Sequence, residues 1–202
     1  GYTGKYFNHL MEEERVPSLI IETANETREN IIILDESSNN QYRFGMPGTE
    51  LSEKEWKQCL EKAAQIKDAE FIIASGSLPS GVPLDIYAQL AKVAKRINAK
   101  FVVDTSGEAL KQAADEGVYL LKPNLGELSS LAGKKELQPG EVNNIATEII
   151  KKGKCEVMVV SMGASGAMLV TKKRNEMIAP PPAIKKSTVG AGDSMVAGIV
   201  HA

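Results

Sequence analysis

Histidine and cysteine are scarce in this sequence, two of each among 202 residues. Cys59 and Cys155 have no metal-type spacing, and His9 and His201 stand near opposite ends. A zinc site and a histidine-dependent triad therefore lack the residues they need. No apolar run is long enough to span a bilayer, and no charged n-region precedes an apolar stretch. An excess of either charge is missing too. The formal net charge is -2, which leaves no basic footprint for nucleic acid. Lys151, Lys152 and Lys154 do cluster, but they surround Gly153 at a helix end, where cations suit the helix dipole. The phosphate loop G-x-x-x-x-G-K-[ST] is missing, which excludes a P-loop enzyme, and without G-x-G-x-x-G the dehydrogenase reading weakens. Protein-kinase signatures, long-period repeats and low-complexity tracts are missing as well. What remains is 43% hydrophobic and 25% charged, the composition of a globular domain, and it reads as a cytoplasmic enzyme or binding protein.

From Glu70 onward the pattern repeats strand, loop, helix. Phe71–Ser75, Phe101–Asp104, Val118–Lys122 and Val157–Ser161 are short apolar runs of the kind buried parallel strands show. Ile86, Leu90, Val93, Ala94 and Ile97 repeat at helical spacing between the first two. Pro139 opens a second such stretch with Val142, Ile145, Ala146, Ile149 and Ile150, stopped by Gly153. Alternating strands and helices predict an α/β domain with a mainly parallel sheet covered on both faces. A helix over Leu51–Ala64 carries its own start signal, with Ser52 and Glu55 as a capping box and Trp56 and Cys59 on the core side. Val16 to Pro47 differs. "SLIIETA", "NIIILDE" and "QYRFGM" are three strand-like runs with no helix between them, which predicts a small antiparallel sheet appended to the main domain.

Residues Thr3 to Glu14 read as a helix with no strand before it, and "SMVAGIVHA" ends as an apolar helix without a C-cap. The expectation is that the chain is an internal piece of a longer protein.

In open α/β sheets, ligands bind beyond the carboxyl ends of the strands. There the sequence places "SGSLPSG", "DTSGE", "KPNLGE" and "SMGASG", an edge rich in Gly, Ser, Asn and acidic residues. Asn124 and Glu127 offer hard oxygen ligands that suit a water-rich Mg²⁺ beside phosphates, and equally a helix cap. Ser161, Gly163 and Gly166 permit close backbone approach to a nucleotide, and equally a strand-to-strand turn. In "STVGAGDSMVAGIV", Gly190, Ala191 and Gly192 open a helix whose unpaired N–H groups suit an anion. One reading is structural: Ser187 or Thr188 begins a turn and Asp193 caps the helix. The other is chemical. The N–H groups stabilise a transferred phosphoryl group while Asp193 takes the acceptor's proton as general base.

"STVGAGDS" and "KPNLGE" resemble the C-terminal signature and the metal-linked N-x-x-E motif of the ribokinase, or PfkB, family of sugar kinases. "TREN", "QYRFGMPG", "SGSLPSGV", "VDTSGEAL" and "APPPAIKKSTVGAGDSM" resemble, in order over nearly the whole chain, the ribokinase-type 6-phosphofructokinase branch of that family. The resemblance implies a ribokinase-like α/β/α sandwich formed by residues 1–15 and 48–202, incomplete at both ends, with residues 16–47 as a β-clasp lid. It implies phosphorylation of fructose 6-phosphate by ATP, with Asp193 as base and Gly190, Ala191 and Gly192 in the anion hole. It places Asn124 and Glu127 near Mg²⁺, through water. It assigns Lys122, Ser161, Gly163 and Gly166 to the ATP site, and Arg28 and Ser77 to the sugar phosphate. Read from its own residues alone, Arg28 is equally a surface charge. Tagatose-6-phosphate kinase and 1-phosphofructokinase are the nearest alternatives, and a non-catalytic nucleotide-binding scaffold is the alternative outside the class. The resemblance also implies a homodimer through the lid. Family members begin with a strand carrying a substrate-binding Asp and a Gly-Gly…Asn loop, which this sequence lacks, as it lacks the adenine-side residues beyond its last helix.

Overall fold

The computed structural model describes residues 1–38, 40–182 and 189–202. Two compact units divide them: Gly1–Lys62 with Leu78–Val82 and Val189, and a larger one of Ala63–Ser77, 83–182 and Gly190–Ala202.

The smaller unit begins with helix α1 (Tyr2–Glu13) and carries a two-stranded antiparallel sheet, β1 (Asn30–Asp35) against β2 (Asn40–Gly45). Asn30 lies opposite Gly45 and Asp35 opposite Asn40. Of the three strands expected in this region, the first is not one. "SLIIETA" has strand-like composition but no ladder partner among the described residues, and without one a strand has nothing to complete its backbone hydrogen bonds. Helix α2 (Glu53–Gln65) starts where expected: the Glu55 carboxylate accepts from the Ser52 N–H at 2.6 Å. The Ser52 hydroxyl also donates to that carboxylate, so the capping box is made from one side only. Trp56 is half-buried and Cys59 exposed, so neither belongs to the core as expected. Helical spacing shows which residues share a face. It does not show that a layer fills the space opposite them.

The larger unit is built on a six-stranded sheet whose spatial order follows the chain: β3 (Phe71–Ser75), β4 (Lys100–Asp104), β5 (Val118–Leu121), β6 (Cys155–Ser161), β7 (Ala167–Thr171) and β8 (Asn175–Ile178). The first four are parallel, and β7 and β8 turn back antiparallel. Helices α3 (Ile86–Arg96), α4 (Gly107–Glu116), α5 (Leu125–Leu131) and α6 (Val142–Lys151) join or flank the parallel strands, and α7 (Ala191–His201) closes the described chain. Val102 and Val103 point to opposite faces of β4, and both are fully buried. On one face Val196 of α7 packs with Val102, Leu120 and Val159. Helices α3, α4 and α6 pack on the strands to make the remaining layer. The result is the expected three-layer α/β/α arrangement. Each fully buried Val, Leu or Ile contributes roughly 1.5–3 kcal/mol, so the parallel strands are the stable frame on which the loops beyond them are hung.

Candidate active site

The carboxyl ends of β3, β4 and β5 stop level with one another. Ser75 is the register partner of Asp104, and Lys122 follows Leu121 as Asp104 follows Val103. The Lys122 N–H continues the ladder by donating to the Val103 carbonyl at 3.2 Å. Side chains two residues apart on a strand share a face, so Asp104 and Lys122 emerge on the face of Val102 and Leu120, which α7 covers. The Lys122 ammonium lies 3.1 Å from the Asp104 carboxylate, their side chains 7% and 16% exposed.

Helix α7 begins over this pair. Gly190 is its N-cap with φ +73°, a left-handed conformation that glycine adopts without strain. The first intrahelical bond runs from the Ser194 N–H to the Gly190 carbonyl at 2.8 Å, so the N–H groups of Ala191, Gly192 and Asp193 have no acceptor within the helix. A Cβ on Gly192 would lie 3.6 Å from Asp104 Oδ2 and 3.7 Å from Lys122 Nζ, which measures how closely the helix backbone approaches the ion pair. Among the described residues Asp193 makes no capping bond. Its Oδ1 instead accepts from the Ser75 hydroxyl at 3.0 Å. The structural reading of Asp193 as a cap is therefore not how this helix starts, while Ser187 and Thr188 lie outside the described residues.

A second group of residues surrounds the start of α5. Asn124 Oδ1 accepts from the Glu127 N–H at 2.9 Å, and Glu127 Oε2 accepts from the Asn124 N–H at 2.8 Å, a complete capping box. The Ser161 N–H donates to the Pro123 carbonyl at 2.9 Å, which joins the end of β6 to the same segment. Gly163 and Gly166 shape the turn into β7. Lys122 and Asn124 are two residues apart, so these two groups share one stretch of chain. Ser77 is exposed two residues beyond Ser75. Arg28 belongs to the smaller unit, just ahead of β1, with its guanidinium beside Gly45.

Two members of the row open segments that the sequence places on this edge, "SGSLPSG" and "DTSGE", without a role of their own. Ser75 and Asp104 each end an apolar run that the sequence shows plainly, and a polar residue in that place is the signal they offer. What makes them a site is register, which only the folded sheet supplies.

The donor set bears on metal. Among the described residues no cluster of three or more His, Cys, Asp or Glu could cage an ion. Asn124 and Glu127 spend one oxygen lone pair each on capping and keep others, which fits an ion that retains most of its waters, as Mg²⁺ does beside phosphates.

The model of the pfkB family carbohydrate kinases matches residues 2–202. The ATP-dependent 6-phosphofructokinase isozyme 2 of Escherichia coli K12 is 42% identical over 197 residues, which cover 97% of this chain and 64% of that protein. The 1-phosphofructokinase of Bacillus subtilis is 30% identical, over 99% of this chain and 65% of its own. Among solved structures, Escherichia coli phosphofructokinase-2 in complex with fructose-6-phosphate superposes with a TM-score of 0.90 at 41% identity, over 97% of this chain and 64% of that one. The chain thus spans a little under two thirds of the relatives it matches.

Proposed function

The chain belongs to the pfkB family of carbohydrate kinases, and from that premise we propose that it takes part in ATP-dependent phosphorylation of fructose 6-phosphate at its 1-hydroxyl, giving fructose 1,6-bisphosphate. One observation carries the reading: an ionisable carboxylate, Asp193, lies in the same helical turn as the N–H groups of Ala191 and Gly192, which have no acceptor within the helix. Phosphoryl transfer asks for that combination, a base for the attacking hydroxyl and preorganised donors for the charge that develops on the transferred group.

In this reading Asp193 removes the proton of the sugar hydroxyl as the oxygen attacks. The N–H groups at the start of α7 hold the transferring phosphoryl oxygens, and the positive end of the helix favours the charge there. Lys122 contributes a cation directly beneath that turn. Lys122, Ser161, Gly163 and Gly166 line the nucleotide site, and Arg28 and Ser77 bind the sugar phosphate. Asn124 and Glu127 would hold Mg²⁺ through water, and the ion, when bound, would supply neutralising charge for the phosphates. Support for the acceptor comes from the relatives: the 6-phosphofructokinase is 42% identical where the 1-phosphofructokinase is 30%.

The reading extends to a cytoplasmic homodimer that pairs through residues 16–47, the lid. Ile31 and Ile33 lie opposite Phe44 and Tyr42 on one face of the two-stranded sheet, and all four are exposed. An apolar face of this kind favours a partner.

The test is transfer from Mg·ATP to fructose 6-phosphate, tagatose 6-phosphate and fructose 1-phosphate. Dominant formation of fructose 1,6-bisphosphate from fructose 6-phosphate, lost in Asp193→Asn with nucleotide binding retained, is the expected result. Preference for another acceptor would change the substrate and keep the mechanism. Nucleotide binding with no transfer to any acceptor would leave a scaffold.

A further inference from the structure

Asp193 is exposed, on the first turn of a helix whose N-cap, Gly190, has no side chain to cap it. An exposed carboxylate on a helix turn samples several rotamers, and a general base must be aimed to within a fraction of an ångström. Something has to choose the rotamer. Among the described residues Asp193 makes one side-chain hydrogen bond, the 3.0 Å contact with the hydroxyl of Ser75.

Ser75 is well placed for this task because its own backbone is fixed. It ends β3 opposite Asp104, and the next residue is tied down from three directions. The Gly76 N–H donates to the Asp104 carbonyl at 2.9 Å. The Gly76 carbonyl accepts from Thr105 Oγ1 at 2.8 Å and from the Tyr87 hydroxyl at 2.9 Å. Tyr87 and Thr105 are both buried. The end of β3 is therefore anchored to α3 and to the loop after β4, and the Ser75 hydroxyl projects from a rigid strand end.

We propose that Ser75 is a positioning residue for Asp193: its hydroxyl donates to Oδ1, holds the carboxylate in one rotamer, and leaves Oδ2 to face the acceptor hydroxyl. The role rests on Asp193 being the base. A hydroxyl has a single proton to donate, and here it is given to Oδ1, so the oxygen left without that donor is the one that can accept the substrate's proton. A methyl in its place would leave the backbone intact and the carboxylate free to rotate.

The experiment measures kcat, KM for fructose 6-phosphate, KM for ATP and melting temperature. The proteins are Ser75→Ala, Ser75→Thr, Asp193→Asn and the Ser75→Ala/Asp193→Asn double variant. Ser75→Ala is expected to lower kcat about 10- to 100-fold, the size of effect that small misplacement of a reacting group produces. Both KM values should stay within about two-fold, since the contact matters at the transition state and not for binding. Ser75→Thr, which keeps the hydroxyl, should regain most of the turnover. The double variant should be no slower than Asp193→Asn alone, because Ser75 acts only through that carboxylate.

Wild-type kcat in Ser75→Ala beside an inactive Asp193→Asn would overturn the positioning role and leave the base assignment standing. Full turnover in Asp193→Asn would overturn both. Equal, multiplicative losses in the double variant would show that Ser75 acts elsewhere. If Ser75→Ala melts early, Ser75→Cys decides: turnover that follows melting temperature across the series makes Ser75 structural, and turnover that follows hydrogen-bond donor strength supports the role.

Discussion

The ammonium of Lys122 lies 3.1 Å from the carboxylate of Asp104, with both side chains mostly buried beneath the first turn of α7. Two opposite charges removed from water in this way are coupled: the pair is tolerated because each member compensates the other. Taking one away strands the other in a poorly hydrated place. Lys122→Met is therefore expected to destabilise the protein by about 3 kcal/mol, the lower end of the range for broken buried pairs because Asp104 keeps some exposure. Replacing both together, as Asp104→Leu with Lys122→Met, should cost less than the single change. Urea unfolding of the three proteins checks this, and a double variant less stable than Lys122→Met would show that the pair is not coupled.

The same pair shows what the sequence could and could not reveal. The apolar runs of β3 to β6 are visible because buried parallel strands need unbroken Val, Ile and Leu. The box at Asn124 and Glu127 is visible because capping depends on residues three apart. Lys122 and Asp104 are visible as members of the polar edge, in "KPNLGE" and "DTSGE", but their pairing is not, because it depends on how β4 and β5 align across an intervening helix. Strand β8 was missed for a different reason. Asn175–Ile178 is short, exposed and half polar, so its ladder with β7 leaves no imprint on composition. "SLIIETA" is the reverse case, strand-like composition with no described partner to pair with.

Gly166 and Gly163 stand in one turn and predict unequal responses to alanine. Gly166 has φ +91°, and a Cβ there would come 2.1 Å from the carbonyl oxygen of Ile178, a backbone atom that cannot step aside without disturbing β8. Gly163 has φ +58° and open space around it. Gly163→Ala should cost about 1–2 kcal/mol, the ordinary penalty for a left-handed alanine. Gly166→Ala should exceed about 3 kcal/mol, since clash adds to conformational strain. Equal unfolding midpoints for the two variants would contradict this.

In the β1–β2 hairpin the Asp35 carboxylate accepts from the hydroxyls of Ser38 and Ser37 and from the Ser37 N–H. These donors, Ser38 foremost, favour the charged form and hold the carboxyl at about 2, below its ordinary 3.8. A group lowered on folding contributes stability above its unfolded value and loses it as pH falls through the folded one. The turn should therefore loosen progressively as pH falls from about 3.8 to about 2. Carbon NMR of the Asp35 carboxyl should show a midpoint at about 2, and Ser38→Ala should raise it. A midpoint at 3.8 in the unaltered protein would mean that the hydroxyls do not hold the carboxylate in solution.

The two cysteines should differ in reactivity. Cys155 begins β6 at 2% exposure, and burial first, with the negative charge of Glu156 second, pushes its thiol up to about 12. The thiolate is the reacting species, so at about pH 8 this side chain is both inaccessible and almost wholly protonated. Cys59 on α2 is exposed, although partial burial raises its thiol as well. Iodoacetamide should therefore modify the folded protein once, slowly and at Cys59, and reach Cys155 only after denaturation. Mass spectrometry of peptides from protein labelled before and after unfolding reads this directly. Rapid modification of Cys155 in the folded protein would mean that β6 opens to solvent far more often than a strand paired on both sides should.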